Sequence, residues 1–409
     1  MMKRTFLCMG MTSLLLLSCQ SDDDLTPTPN PREDIPLTTR QQEMTASGNA
    51  FAFNFFKTVT GNEEKENVFL SPLSASLALS MTANGAAGST LEEMKSVLGF
   101  EDCTLEEMNE YYKTLVKGLL AADRSTTLGI AHSIWIQEGF GVKQPFIDLN
   151  KDAYDAEVRH LDFNSPQAAG VINQWCSDKT NKRITKILDE ISGNARLFLI
   201  NALYFKGIWT SRFDKHNTAS GDFTTAPGRK NKVDMMRQEC NTPYVEDEGL
   251  QIAELPYGNE AFGMVILLPE EHQDIDNVIE RLTPENWGKW MQQLGSRTID
   301  IKLPKFRLEY SRDLKKDLME MGMTVPFREE ADFSGMSDTR LFIGLVKQDT
   351  FVEVNEEGTE AAAVTVVGME LTSAGGDRAI PFHVDRPFIC IIREKSTGAI
   401  LFMGKIGDL

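Results

Sequence analysis

The sequence predicts an α+β fold in a single domain, and three observations carry that prediction. Segments with helical periodicity crowd the first half and segments of strand composition the second, with no regular alternation, which argues against a doubly wound parallel sheet. No linker-like stretch interrupts residues 43–409. With 409 residues, 41% apolar and 25% charged, the chain can bury one large core.

The N-terminus reads as an export signal. Met1-Met2-Lys3-Arg4 is a short positive region, and the apolar run over 6–17 is too short to span a bilayer as a permanent helix. It ends in Leu16-Leu17-Ser18-Cys19, which resembles a bacterial lipobox, so 1–18 is expected to be a lipoprotein signal peptide and Cys19 the lipid anchor. The alternative is an ordinary signal peptide with an incidental cysteine. Gln20-Ser21-Asp22-Asp23-Asp24 resembles an acidic export tag of surface lipoproteins. Pro27, Pro29, Pro31 and Pro36 make the following stretch an extended spacer, so 19–42 is expected to be a flexible tether. The expected location is the outer membrane, surface-exposed, with the periplasmic face as the other possibility. Loss of Lys3 and Arg4 with the signal takes the formal charge from −18 to about −20. So acidic a surface repels nucleic-acid phosphates and anionic lipid. No nucleic acid is expected as a partner, and membrane contact only through the lipid.

The body opens with a helix whose apolar face is Met44, Phe51, Ala52, Phe55, Phe56 and Val59, stopped at Gly61-Asn62. Ser71 and Pro72 suit the N-cap and first position of a second helix, stopped at Asn84-Gly85. Thr90-Leu91-Glu92-Glu93 and Thr104-Leu105-Glu106-Glu107 are two capping boxes. A helix is predicted over 166–188. Strands are predicted over 133–137, 197–205, 250–255, 263–268, 298–310, 350–354, 388–392 and 399–405.

Catalytic motifs are missing from the sequence. His132, His160, His216, His272 and His383 show no metal-ligand spacing, and there is no nucleophile elbow, P-loop or dinucleotide fingerprint. An enzyme, a cofactor and a metal are therefore not expected. Cys103, Cys176, Cys240 and Cys390 could form two bridges in three pairings or remain buried thiols.

The stretch Asn355-Glu356-Glu357-Gly358-Thr359-Glu360-Ala361-Ala362-Ala363-Val364-Thr365-Val366-Val367 reads as a strand-competent segment with a glycine pivot, followed by the loose loop Thr372-Ser373-Ala374-Gly375-Gly376-Asp377. Six segments in order resemble the serpin family: Asn67-Val68-Phe69-Leu70-Ser71-Pro72-Leu73-Ser74; Ile172-Asn173-Gln174-Trp175; Asn201-Ala202-Leu203-Tyr204-Phe205-Lys206-Gly207-Ile208-Trp209; Ala331-Asp332-Phe333-Ser334-Gly335-Met336; Asp385-Arg386-Pro387-Phe388; and Leu401-Phe402-Met403-Gly404-Lys405-Ile406.

The resemblance implies three β-sheets, about nine helices and an exposed reactive-centre loop over about 356–381. It also implies a monomeric suicide-substrate inhibitor of serine, and in some members cysteine, endopeptidases. In that mechanism the target protease forms an acyl-enzyme, and the cut loop inserts into the main sheet and deforms it. The hinge would be Glu356, Glu357, Gly358, Thr359, Glu360, Ala361, Ala362 and Ala363. A strand inserted from Thr359 would bury Thr359, Ala361, Ala363, Thr365, Val367, Met369 and Leu371, all small or apolar, while the acids fall on the other face. No proline interrupts it. The family spacing of about seventeen residues from the hinge glutamate puts the scissile bond at Thr372-Ser373, which favours elastase-like or subtilisin-like proteases; a trypsin-like cut at Arg378 would leave too long a leash. By the same resemblance Ser71, Ser74, Asn201 and Gln348 form the shutter beneath the sheet, and Trp209 marks the breach where insertion begins. Gln348 stands where many members have histidine and does not titrate near neutral pH, so no histidine-linked pH switch is expected there. A non-inhibitory serpin acting as a cleavable decoy or binding surface lipoprotein is the alternative function.

Overall fold

The computed structural model describes residues 30–226, 229–359 and 378–409. α1 (Thr39–Gly61) starts under a reciprocal cap of Thr38 and Gln41 and buries the apolar face read from the sequence. After β1 (Asn67–Leu70), Ser71 caps α2 (Pro72–Ala83) by accepting the amide of Ser74. α2 is buried on nearly every side, as befits a helix inside the core.

α3 (Gly88–Leu98) departs from expectation. Thr90 is not its cap: the Thr90 hydroxyl accepts the amide of Asp332, and Glu93 accepts those of Thr324 and Val325. Both members of the expected box serve tertiary contacts instead. The second box holds, with Thr104 and Glu107 capping α4 (Leu105–Ala121).

β2 (Thr127–Gln137), α5 (Gln144–Tyr154) and β3 (Glu157–Leu161) lead to α6 (Ala168–Lys179). The helix predicted to reach residue 188 therefore stops at Lys179. Asn181 and Lys182 turn left-handed, and Asn173 holds the amides of Ile187 and Leu188, pinning that segment outside the helix. β4 (Leu197–Ile208) precedes a hairpin the sequence reading did not identify, β5 (Ala219–Ala226) and β6 (Arg229–Asp247). β7 (Leu250–Tyr257), β8 (Phe262–Pro269), α7 (Ile275–Arg281) and α8 (Pro284–Gln293) follow. The single strand predicted over 298–310 is two, β9 (Gly295–Pro304) and β10 (Phe306–Asp313), divided at Lys305, whose amide bonds to Asp234 O. α9 (Lys315–Glu320), β11 (Lys347–Asn355), β12 (Gly358–Thr359), β13 (Ile380–His383), β14 (Phe388–Glu394) and β15 (Ile400–Ile406) complete the described chain.

Among the described residues the strands form two hydrogen-bonded ladders. One has six strands in the order β10-β11-β12-β4-β2-β3; the other runs β1-β15-β14-β8-β7-β6-β9-β13, with β5 on β6. The expected three sheets occupy two ladders because the 19-residue β6 pairs with β5, β9 and β7 along its length and joins what would otherwise be separate sheets. The inner face of the six-stranded sheet (Ile134, Leu203, Phe205, Val352) joins the main core. Its outer face (Trp135, Ile200, Ala202) lies beneath Ile172, Trp175 and Cys176 of α6.

The stretch expected to be a tether over 19–42 is folded onto the body from Asn30. Asn30 donates to Asp123 (2.6 Å), Ile35 is buried against Gly118, and the Ile35 amide bonds to the Ser396 hydroxyl. Cys103, Cys176, Cys240 and Cys390 are free thiols, all but Cys240 buried.

Candidate functional site: a slot in the six-stranded sheet

The site is the junction between β11 and β4. Among the described residues these strands share no ladder of their own; two residues of β12 join them, Thr359 and Gly358 pairing with Val354 and Asn355 on one side and with Gly207 and Ile208 on the other. The hinge is thus not wholly exposed, as the sequence reading had it: Glu356 and Thr359 are buried, and Gly358-Thr359 already occupies the top of the slot. Gly358 is required there. Its φ is +151°, and a Cβ would fall 2.0 Å from Gly207 O.

Side chains and amides from well-separated parts of the chain hold this junction. Trp209 stacks on Tyr257 with ring centroids 4.5 Å apart, donates from Nε1 to Asn355 O, and donates from its amide to Glu357 O. The amide of Phe213 donates to Glu356 O. The Thr359 hydroxyl, on the face expected to be buried, bonds to the Tyr257 hydroxyl at 2.6 Å. Glu356 accepts from Thr218 (2.9 Å) and pairs with Lys305 (3.2 Å), while Glu357 pairs with Lys215 (2.9 Å). Burial pushes the Glu356 carboxyl up, but its own amide, Thr218 and Lys305 more than offset this and hold it below the usual carboxylate range. The acids are clasped immediately before the backbone enters the sheet at Gly358-Thr359.

Below the junction the expected shutter residues divide. Gln348 makes a two-way bond to the backbone of Ser71, donating to its carbonyl (2.8 Å) and accepting from its amide (3.0 Å). The Ser71 hydroxyl donates to Leu401 O and accepts the Ser74 amide, so β11, α2 and β15 meet here. Asn201 is bonded elsewhere, to His132 on β2 (3.0 Å). Cys19, Glu360, Ala361, Ala362, Ala363, Thr372 and Ser373 lie outside the described residues.

Tyr257, Thr218, Lys305, Lys215 and His132 were not picked out from the sequence. Four of them meet the hinge across more than 50 positions of chain and carry no local signature. His132 did carry one. It sits in register with Ile130, Ile134 and Ile136 on the inward face of a strand, where a histidine is out of place.

These features define a protein whose six-stranded sheet holds two residues of a later segment, Gly358-Thr359, between β11 and β4. The chain belongs to the serpin family: the family model described as Serpin (serine protease inhibitor) matches residues 46–409. An uncharacterized serpin-like protein of Thermococcus kodakarensis is 35% identical over 393 residues, 94% of this chain and 90% of that protein. Antithrombin-III of Homo sapiens is 32% identical, over 92% of this chain and 84% of that protein. The native state of the thermophilic serpin tengpin superposes with a TM-score of 0.83 at 34% identity, covering 93% of this chain and 97% of that one.

Proposed function

We propose that this protein is a suicide-substrate inhibitor of serine endopeptidases, with papain-like cysteine endopeptidases as a second target class. Cleavage at Thr372-Ser373 would leave an acyl-enzyme on Thr372, and insertion of the loop between β11 and β4 would trap it. The observation that carries this reading is the position of β12: two hinge residues already form the only ladder between those strands among the described residues. Dimensions agree. β4 has 12 residues, about 40 Å of strand, and the segment 359–371 would span roughly 43 Å. Its inward set is small or apolar from Thr359 onward. Thr372 suits elastase-like pockets, and Leu371 or Met369 suits subtilisin-like ones. Trp209 and the hinge clasp would set where insertion starts, with Gln348 and Asn201 in the sheet and Ser71 and Ser74 beneath it the groups that move past one another. Cys19 would carry the lipid that holds the body at the outer membrane, on its surface side.

Incubation with elastase-like, subtilisin-like and trypsin-like proteases, followed by denaturing electrophoresis, tests the proposal. An SDS-stable complex is expected with one of the first two, and the released C-terminal peptide should begin at Ser373. Clipping without complex at every protease dose would remove the inhibitor reading and leave the cleavable decoy. Thr359→Arg puts a charge against Tyr257 and should turn inhibitor into substrate.

A further inference from the structure

Beneath the slot lies a buried titratable group that the proposed mechanism leaves unused. His132 of β2 stands opposite Asn201 of β4 in their ladder. It is 3% exposed; its Nδ1 faces the Asn201 side-chain nitrogen at 3.0 Å, and its Nε2 has no partner. Tyr154 of α5 meets the ring edge-on, centroids 5.8 Å apart. The Tyr154 hydroxyl, the Ser80 hydroxyl of α2 and Asn201 Oδ1 are likewise buried without a well-formed bond. Tyr112 of α4, bonded to Ser76, stands behind Tyr154. A patch of unmatched polar groups therefore lies where β2 and β4 rest on the helices, the surface that must shear if a strand enters beside β4.

We propose that His132 is a positioning residue for strand insertion: its neutral ring ties β2 to Asn201 of β4 above α2 and α5, and protonation breaks that tie, so that the sheet opens faster in mild acid. This rests on the insertion reading above. An amide N–H donates to Nδ1, so that nitrogen must be unprotonated; an imidazolium presents N–H at both positions and has no acceptor for the amide. The charge would also be buried without a counterion. The titratable groups facing it are Tyr154 and, behind it, Tyr112, whose hydroxyls burial holds neutral, Tyr112 at about 12. On the adjoining strand Glu157, opposite Ser133, is taken up by Arg159 and Lys179. Burial alone pushes His132 down to about 4. A depressed imidazole value means that the closed sheet loses stability as pH falls through the ordinary imidazole range toward that value, relative to any opened state in which the ring is hydrated. Gln348 leaves β11 without a titrating group at the shutter; β2 supplies one.

The test is uptake of a synthetic peptide copying residues 359–371 into the sheet, read as gain in thermal stability with time, from pH 7.5 to 5. Wild type, His132→Asn and His132→Gln are compared; the second variant serves if the first does not fold. Uptake by wild type should accelerate on the order of tenfold between pH 7 and pH 5, with both variants flat. A pH-independent rate in wild type, or the same acceleration in the variants, overturns the role of His132 alone. No uptake by any form at any pH removes the insertion reading, and this proposal with it.

Discussion

Replacing Gly358 by alanine puts the hinge geometry to a direct trial. The new Cβ would lie 2.0 Å from Gly207 O and 2.8 Å from the Cα of Ile208, both backbone atoms of β4. Neither can yield without opening that strand, so β12 must leave the slot. What is lost is the two-residue ladder on each side and the Thr359–Tyr257 bond, which leaves the Tyr257 hydroxyl buried without its partner. At about 1 kcal/mol net per bond, three or four bonds amount to roughly 3–4 kcal/mol. For a folded body of about 380 residues the unfolding entropy is near 0.8 kcal/mol/K, so Tm should fall by about 4–5 °C. Wild type and variant need one common scan rate, because a large chain that unfolds irreversibly gives a scan-rate-dependent Tm. Hydrogen exchange supplies the local readout. The amides of Trp209 and Phe213 donate to Glu357 and Glu356, and both should lose protection with the hinge. A Tm within 1 °C of wild type, with those two amides still protected, would refute the placement of β12 in the slot.

Other perturbations test neighbouring parts of the structure. Ile35→Ala empties a buried side chain that anchors residues 30–38 against Gly118; differential scanning should show a loss of about 2–3 kcal/mol, or some 3 °C, and no loss would mean that the segment is a free tether in solution. Because the Glu356 carboxyl is held below its usual range, its contribution is present at neutral pH and fades as pH drops below about 4.5. Between pH 5 and pH 3, Glu356→Gln should therefore lose less Tm than wild type; equal losses would show that Lys305 and Thr218 do not hold the charged form. Titration with a thiol reagent in denaturant should count four thiols in protein lacking residues 1–29, with no mobility change on reduction. Fewer than four would reveal a bridge.

The parts of the fold legible in the sequence were those set by local chemistry. Ser71-Pro72 starts α2 because a hydroxyl cap and a preset φ act within one turn, and Thr104 with Glu107 caps α4 for the same reason. Thr90 and Glu93 carry the same local signal, and there it failed: distant amides at 324, 325 and 332 claim both side chains, and no spacing rule reports that. The β5–β6 hairpin escaped notice because the exposed positions of β6 change phase across the buried Met235-Met236, from Lys230, Lys232 and Asp234 to Arg237 and Glu239, so no single alternation runs along it, although Pro227-Gly228 is a turn signal. Asn181 and Lys182 ended α6 through left-handed backbone, a conformation that Asn tolerates but that Lys182 does not announce.

The candidate site shows the same division. Gly358 and Thr359 stood out because a segment expected to insert needs a pivot and a small inward residue, both properties of the segment itself. Their receptors were not, since Tyr257, Lys305 and Thr218 become neighbours only when β7, the β9–β10 junction and the loop after β4 converge on one end of the sheet. That convergence has a mechanical consequence. Trp209, Phe213 and Tyr257 bond to the hinge at residues 355–359, so the junction is already ordered before any further residue arrives. The conformational entropy of starting a strand would thereby be spent in advance, and each residue inserted later would add ladder bonds on two sides for one residue fixed. On the proposed mechanism a slot begun in this way would propagate downhill from the top. The rate of insertion would then be set by how readily β2 and β4 part from β11 over α2 and α5, which would move control of the process from the loop to the polar groups beneath the sheet.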